Sequence, residues 1–414
     1  MEARDAIRKT QLLEECQVAP ELFEQVMPRL ATFMKPFVAS FGGRVLTEHA
    51  KTSVSGLLSN VERKNVESIA YHFGQDRLGL HGCIGGAEGA DPPLRTARLG
   101  PVARHVGHAA GVLVCDPSAW PTSGTASVGV ARHWGGRLGN VDPGQVALSW
   151  GDVSRKGHTL VALRLSLPKE GTREQARWQQ AGGPKTRRGY RPRRPLAWER
   201  REKNGAALPH RGRAGDDERG RPSWLRRRLA AWGEREVWAV PATTARRDLE
   251  SEPPAYSGRG RRPKRPWQRG APWGQSLDDA AWRRLDGRDG AKGPLVGDVV
   301  KRRGVARPPR RQQGDEERLG VRRSRDRDQQ QGVQGEYSLS NAAPEPPLRA
   351  CARVATAAPR LAECLQRSKS AAGVADYEGR HGTGGQQHQT LSFLATWCLG
   401  RETPRGKKWT PAIT

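Results

Sequence analysis

Eight residues, Gly111-Val112-Leu113-Val114-Cys115-Asp116-Pro117-Ser118, constrain this chain more than any other stretch. A short apolar run bounded by glycine and proline reads as a buried strand. It ends on the carboxylate of Asp116, and Pro117, which has no N–H to give, is expected to stop the ladder there. A carboxylate at the exposed end of a buried strand is well placed to hold a metal ion. Three alternating segments follow at 126–134, 145–153 and 158–168, the last with Leu163, Leu165 and Leu167 on one face. The pattern predicts an acid-bearing strand followed by an antiparallel meander.

Upstream, Leu22, Phe23, Val26, Met27, Leu30, Phe33, Met34, Phe37 and Val38 recur at three- and four-residue steps, so residues 1–81 read as a helical domain. Pro28 and Pro36 are expected to kink or break it. A second helical pattern runs through Val54, Leu57, Leu58 and Val61, then Val66, Ile69 and Ala70. Residues 82–110 are Gly-rich and poorly patterned, a linker or a decayed helix. The meander opens a region spanning 111–240. Within it, 170–204 is rich in Arg, Gly and Pro, which argues against a continuous helix. The stretch Leu208-Pro-His-Arg-Gly-Arg-Ala-Gly215 lacks the apolar run of a strand, 224–232 suits a short helix stopped by Gly233, and 237–240 suits a strand. Residues 241–345 read as a β-rich basic insertion, 346–402 as the closing helices, and 403–414 as a basic tail.

Charge narrows the partners. The chain carries 71 Lys and Arg against 43 Asp and Glu, a formal charge of +28, so a polyanion is the first candidate and nucleic acid the leading one. Residues 1–90 hold 10 basic against 11 acidic side chains, whereas 181–270 hold 25 against 10. Within the basic part, Arg259, Arg261, Arg262, Lys264 and Arg265 could track phosphates through counterion release, or form a solvated loop. Trp267 beside them could stack on a base or simply pack. Six cysteines without CxxC spacing disfavour a zinc site and a disulfide framework, and suit a reducing cytosol. His133, His158 and His388 show no metal-ligand spacing, and no phosphate-binding glycine loop sits between a strand and a helix. There is no apolar leader or 18-residue apolar run, so the chain is expected to be cytoplasmic and to have no membrane partner.

Strand, carboxylate and meander in this order resemble the opening of an RNase H-like domain. Asp116-Pro-Ser-Ala-Trp-Pro-Thr-Ser-Gly124, Ser127-Val-Gly-Val-Ala-Arg-His-Trp-Gly-Gly-Arg-Leu-Gly139 and Leu167-Pro-Lys-Glu170 resemble the bacterial insertion-sequence transposases of the DDE superfamily, in the branch named for a Tyr-Arg-Glu-Lys signature. So do Ala214-Gly-Asp-Asp-Glu-Arg-Gly220, Tyr337-Ser-Leu-Ser-Asn341 and Glu363-Cys-Leu-Gln-Arg-Ser-Lys369, with Tyr377-Glu-Gly-Arg380 and His388-Gln-Thr-Leu391 after them. The resemblance implies an α+β or α/β fold: an RNase H-like catalytic domain with a β-rich insertion, preceded by a helical domain that binds the element's DNA end.

The same resemblance implies Mg²⁺ or Mn²⁺ as cofactor, bound by two aspartates and a glutamate. It also implies double-stranded DNA with terminal repeats as substrate, a nucleoid-associated location and a homo-oligomer on paired ends. Asp116 takes the first acidic place and Asp216 the second, with Asp217 as the fallback. Counting seven residues back from Lys369 puts the glutamate at 362, where this chain has Ala362; Ala358 and Ala355 stand in the Arg and Tyr places. Glu363 is the nearest carboxylate that could complete the set, about 100° round a helix from Ala362; Glu378 is another. Lys369 and Arg380 are carried over as DNA contacts, although Glu378 and Arg380 also suit a surface helix pair. The resemblance therefore points to a degenerate copy whose strand cleavage and transfer are impaired. A non-catalytic basic DNA-binding protein and a poorly folded remnant are the alternatives.

Overall fold

The computed structural model describes residues 25–85, 91–122, 126–135, 140–167, 208–215, 226, 229–290, 293–307, 316–323, 335–342, 348–379 and 381–403. Helix α1 (Val26–Met34) ends where Pro36 enters, and the chain tightens into a 3₁₀ segment over Lys35–Ser40. Helix α2 (Arg44–Leu58) buries Thr47, Ala50, Val54 and Leu57, one stripe at helical spacing. Helix α3 (Val66–His72) starts on Asn65, whose side chain accepts the Ser68 N–H at 2.8 Å. It lies close on α2 because Gly56 has no Cβ; one would sit 2.5 Å from Ile69. Helix α4 (Arg77–Gly85) follows.

The stretch expected as a linker or a decayed helix holds a packed helix, α5 (Asp91–His105), which carries Pro101 in its interior and buries Leu94 and Val102 completely. Arg98 on α5 is 1% exposed and donates to the carbonyls of Leu160 and Val161 at 3.0 and 2.6 Å. Those carbonyls lie at a β-bulge, where the ladder leaves acceptors to satisfy.

Strands β1 (Val112–Pro121), β2 (Ala131–Gly135), β3 (Asn140–Ser154) and β4 (Gly157–Leu165) form the meander. β1 does not stop at Pro117: Pro117 pairs with Leu148 and the ladder continues to Pro121. Beyond Cys115 the other edge of β1 has no described neighbour, so a residue without an N–H is tolerated there. β5 (Gly212–Gly215) and β6 (Glu236–Val240) add in parallel, giving the order β4–β3–β1–β5–β6. The weakly patterned 208–215 segment thus ends in a strand after all, Gly212–Gly215, with all four of its residues buried. A mixed sheet with three antiparallel and two parallel members, covered by helices, is in keeping with the RNase H-like expectation.

The region after β6 continues the same sheet. β7 (Ala245–Asp248), β8 (Gln268–Arg269), helix α6 (Gly270–Gln275), β9 (Arg283–Gly290), β10 (Gly293–Ala306), β11 (Glu316–Arg323) and β12 (Gly335–Ser340) follow, and β12 pairs antiparallel with β6. Helices α7 (Leu348–Ala355), α8 (Ala357–Ala371) and α9 (Gly382–Glu402) close the chain.

Alternation along β1 splits the core. Leu113 and Cys115 face helices α1–α5, in a cluster with Trp397 and Leu394 of α9. Val112, Val114 and Trp120 face α8, in a cluster with Leu361, Cys364 and Leu365. Among the described residues, no helix is long and apolar enough to cross a membrane.

Candidate functional site

Asp116 is half-buried on β1, opposite Ser149 of β3. Strand alternation puts it in the row of Val112, Val114 and Trp120, which is the face covered by α8. On the other flank, β5 runs parallel to β1 with Gly215 level with Cys115, so the two strands are in register up to the residue before each aspartate in sequence. Asp216 and Asp217 lie outside the described residues.

Helix α8 turns Leu361, Cys364, Leu365 and Ser368 inward and leaves Ala362 and Glu363 exposed. The Lys369 ammonium donates to the Ala119 carbonyl of β1 at 2.6 Å and sits 6.0 Å from the Trp120 ring centre. Trp120 is itself fixed, its indole N–H donating to Gln145, whose amide donates to the Val128 carbonyl. Ala362 lies seven residues before Lys369, two helical turns, and so shares its stripe over the acidic end of β1.

Glu363 faces elsewhere. His158, at the start of β4, is pushed down to about 4 by burial first, then by Arg367 and Arg360, with Glu363 opposing. Glu363 therefore belongs to the stripe of Arg360 and Arg367 that looks toward His158. Through β3, His158 is level with Val112, four residues and about 13 Å along the strand from Asp116. Glu378 accepts a hydrogen bond from Asn65 at 2.9 Å, in a stretch that is not helical, which corrects the surface-helix-pair reading. Arg380 lies outside the described residues.

The basic run is a folded loop. Gly258 and Gly260 adopt φ of +82° and +77°, and Tyr256 Oη donates to the Gly260 carbonyl. Arg259, Arg261, Arg262 and Lys264 are exposed, while Arg265 donates to the Ser251 carbonyl at 2.7 Å. Trp267 has Arg247 4.2 Å and Arg307 5.9 Å from its ring centre.

A second polar cluster, not legible in the sequence, sits at the opposite end of the parallel strands. His210 stands between the Leu208 carbonyl and the Glu234 carboxylate, and Arg213 pairs with the same carboxylate at 3.0 Å. Burial pushes the Glu234 carboxyl up, but hydrogen bonds from His210 and Arg213 outweigh it and hold the group well below the usual carboxylate range. These residues come from segments with no shared motif, so only the fold brings them together.

Among the described residues, no group of three or more His, Cys, Asp or Glu side chains converges on a metal position. Hard divalent cations require several oxygen ligands. On the Asp116 face the described side chains offer Asp116 itself and a methyl group at position 362; the second acidic position, Asp216 or Asp217, lies outside the described residues. No curated protein matches the chain. A family model, described as DDE superfamily endonuclease, matches residues 36–294, from the 3₁₀ segment into β10. The match covers more than half the chain, includes Asp116 and position 216, and stops before α8. The chain belongs to the DDE superfamily endonucleases.

Proposed function

We propose that this protein is a transposase-like DNA-binding member of its family in which metal-dependent strand cleavage is impaired at one position. The observation that carries the reading is Ala362. It is exposed on the Lys369 stripe, above the face that bears Asp116, where the family pattern has its third acid. Asp116 and Asp216 are proposed as the retained acidic pair; Glu363, on the neighbouring stripe, is the carboxylate that a rescue would have to recruit. Loss of one ligand from a two-ion centre removes several kcal/mol of transition-state stabilisation, on the order of a thousandfold or more in rate. DNA affinity is proposed to rest on the exposed loop side chains Arg259, Arg261, Arg262 and Lys264, with Arg265 bracing the loop and Lys369 nearer the acidic face; Arg380 is proposed as a further contact. Non-specific phosphate neutralisation of this kind does not require the acidic set.

The test is cleavage of duplex DNA carrying candidate element ends, in Mg²⁺ and in Mn²⁺, by the unmodified chain and by Ala362→Glu. The expected result is no cleavage by the unmodified chain and measurable cleavage by Ala362→Glu, lost again in Ala362→Glu with Asp116→Ala. Cleavage by the unmodified chain that Asp116→Ala abolishes would overturn the impairment and implicate Glu363 or another carboxylate.

A further inference from the structure

Beneath α7, at the end of the sheet away from Asp116, a cavity of about 90 Å³ opens between the starts of β5 and β6 and the end of β12. Three arginines from separate elements rim it: Arg211 leading into β5, Arg235 leading into β6, and Arg353 on α7. All three are exposed, and among the described residues none has a carboxylate partner. The acids closest in sequence are already engaged. Glu234 is held by Arg213 and His210. Glu236 also lines the cavity as a carboxylate, accepting the Trp238 indole N–H at 2.7 Å, so three guanidinium groups face one carboxylate and the local balance is cationic. Arg211 and Arg235 also line the outer groove beside His210, so the cavity and that groove share one arginine wall. Gly212 lies on the floor, where an added Cβ would be in ordinary contact, 3.6 Å from the Arg235 carbonyl and Val354. The volume equals about three waters, enough for one tetrahedral oxyanion.

We propose that Arg211, Arg235 and Arg353 form an oxyanion site that takes a phosphate group. Guanidinium groups suit this ligand because each presents parallel N–H donors that match two phosphate oxygens. Ser340 lines the same cavity, and its hydroxyl, which accepts the Ala342 N–H at 3.1 Å, still has its own proton to donate. The phosphate can come from a DNA backbone lying across this end of the sheet or from a free nucleotide. The site stands whether or not the chain cuts DNA.

Cys351 gives a direct reporter, because its half-buried thiol lines the cavity while Cys115, Cys364 and Cys398 are buried elsewhere. Alkylation of Cys351 in the full chain would be followed by peptide mass spectrometry at constant ionic strength. Phosphate at 20 mM is expected to slow it at least threefold relative to chloride, and Arg235→Gln with Arg353→Gln to remove that protection. Both arginines are exposed, and circular dichroism would confirm that the variant is folded. Protection by duplex DNA at micromolar concentration assigns the site to the backbone; protection by a mononucleotide alone assigns it to a free ligand. No protection by phosphate, nucleotide or duplex, or protection unchanged in the double variant, would overturn the proposal.

Discussion

Asp152 on β3 is fully buried, and neither carboxylate oxygen has a hydrogen-bond partner at full geometry among the described residues. Burial pushes its carboxyl up to about 6, with the facing His210 and the Val153 amide pulling the other way. A raised carboxyl favours the protonated fold, so its contribution is complete below the unfolded value near 3.8 and is lost as pH rises through about 6. The loss amounts to about 3 kcal/mol at most, from about 1.4 kcal/mol per pH unit. Glu234 acts in the opposite sense: it stabilises above the ordinary carboxylate range, and that stability is lost as pH falls. Asp152→Asn separates the two, since Glu234 is common to both proteins. The variant should melt several degrees above the parent at pH 7.5 and level with it at pH 4. A melting difference that does not change with pH would show that Asp152 is not the titrating group.

At the scale of the element, β5 is the telling strand. Gly-Arg-Ala-Gly has no apolar run, yet it is buried between β1 and β6, and Gly215 lets Trp238 close over it. A Cβ on Gly215 would lie 2.0 Å from the Trp238 ring, whereas one on Gly212 would meet nothing nearer than 3.6 Å. Gly215→Ala should therefore cost about 1–3 kcal/mol by overpacking, and Gly212→Ala less than about 1, both read from urea midpoints. Equal losses would mean that Trp238 yields freely. The same strand explains what the sequence could reveal. β1, β3 and β4 were legible because Val112 and Val114, then Val146, Leu148 and Trp150, then Leu163 and Leu165 repeat at the two-residue period of a strand. β5 was not, since its burial depends on Trp238 from another strand. Helix α5 was obscured by Gly100 and Pro101, and by Arg98, a charge that bulge carbonyls help make tolerable inside a core. Asp116 was found as an acid in a strand, but Pro117 misplaced the strand's end. The separate roles of Ala362 and Glu363 needed a helix with a known inner face.

For the whole molecule, the charge of +28 predicts strong salt dependence in any DNA complex, with an exposed loop supplying a defined share. Arg259, Arg261 and Arg262 replaced together by Gln should reduce the slope of log K against log salt by about 2 to 3, near 0.9 per lost phosphate contact. Thermal stability should be unchanged, because these side chains are exposed. An unaltered slope would move the DNA contact elsewhere on the chain.

The bond from Lys369 to Ala119 joins residues 250 positions apart, and α8 is the cover for the face of β1 that carries Asp116. During synthesis at roughly 5–20 residues per second, that face waits about 10–50 s for its lid. Throughout that interval Val112, Val114, Leu160 and Leu163 are exposed on a hairpin sheet with open edges, the kind of surface that pairs with other chains. Ribosomes that stop short of α8 release a product with an uncovered core, so the yield of folded protein depends on how fast the last sixty residues arrive.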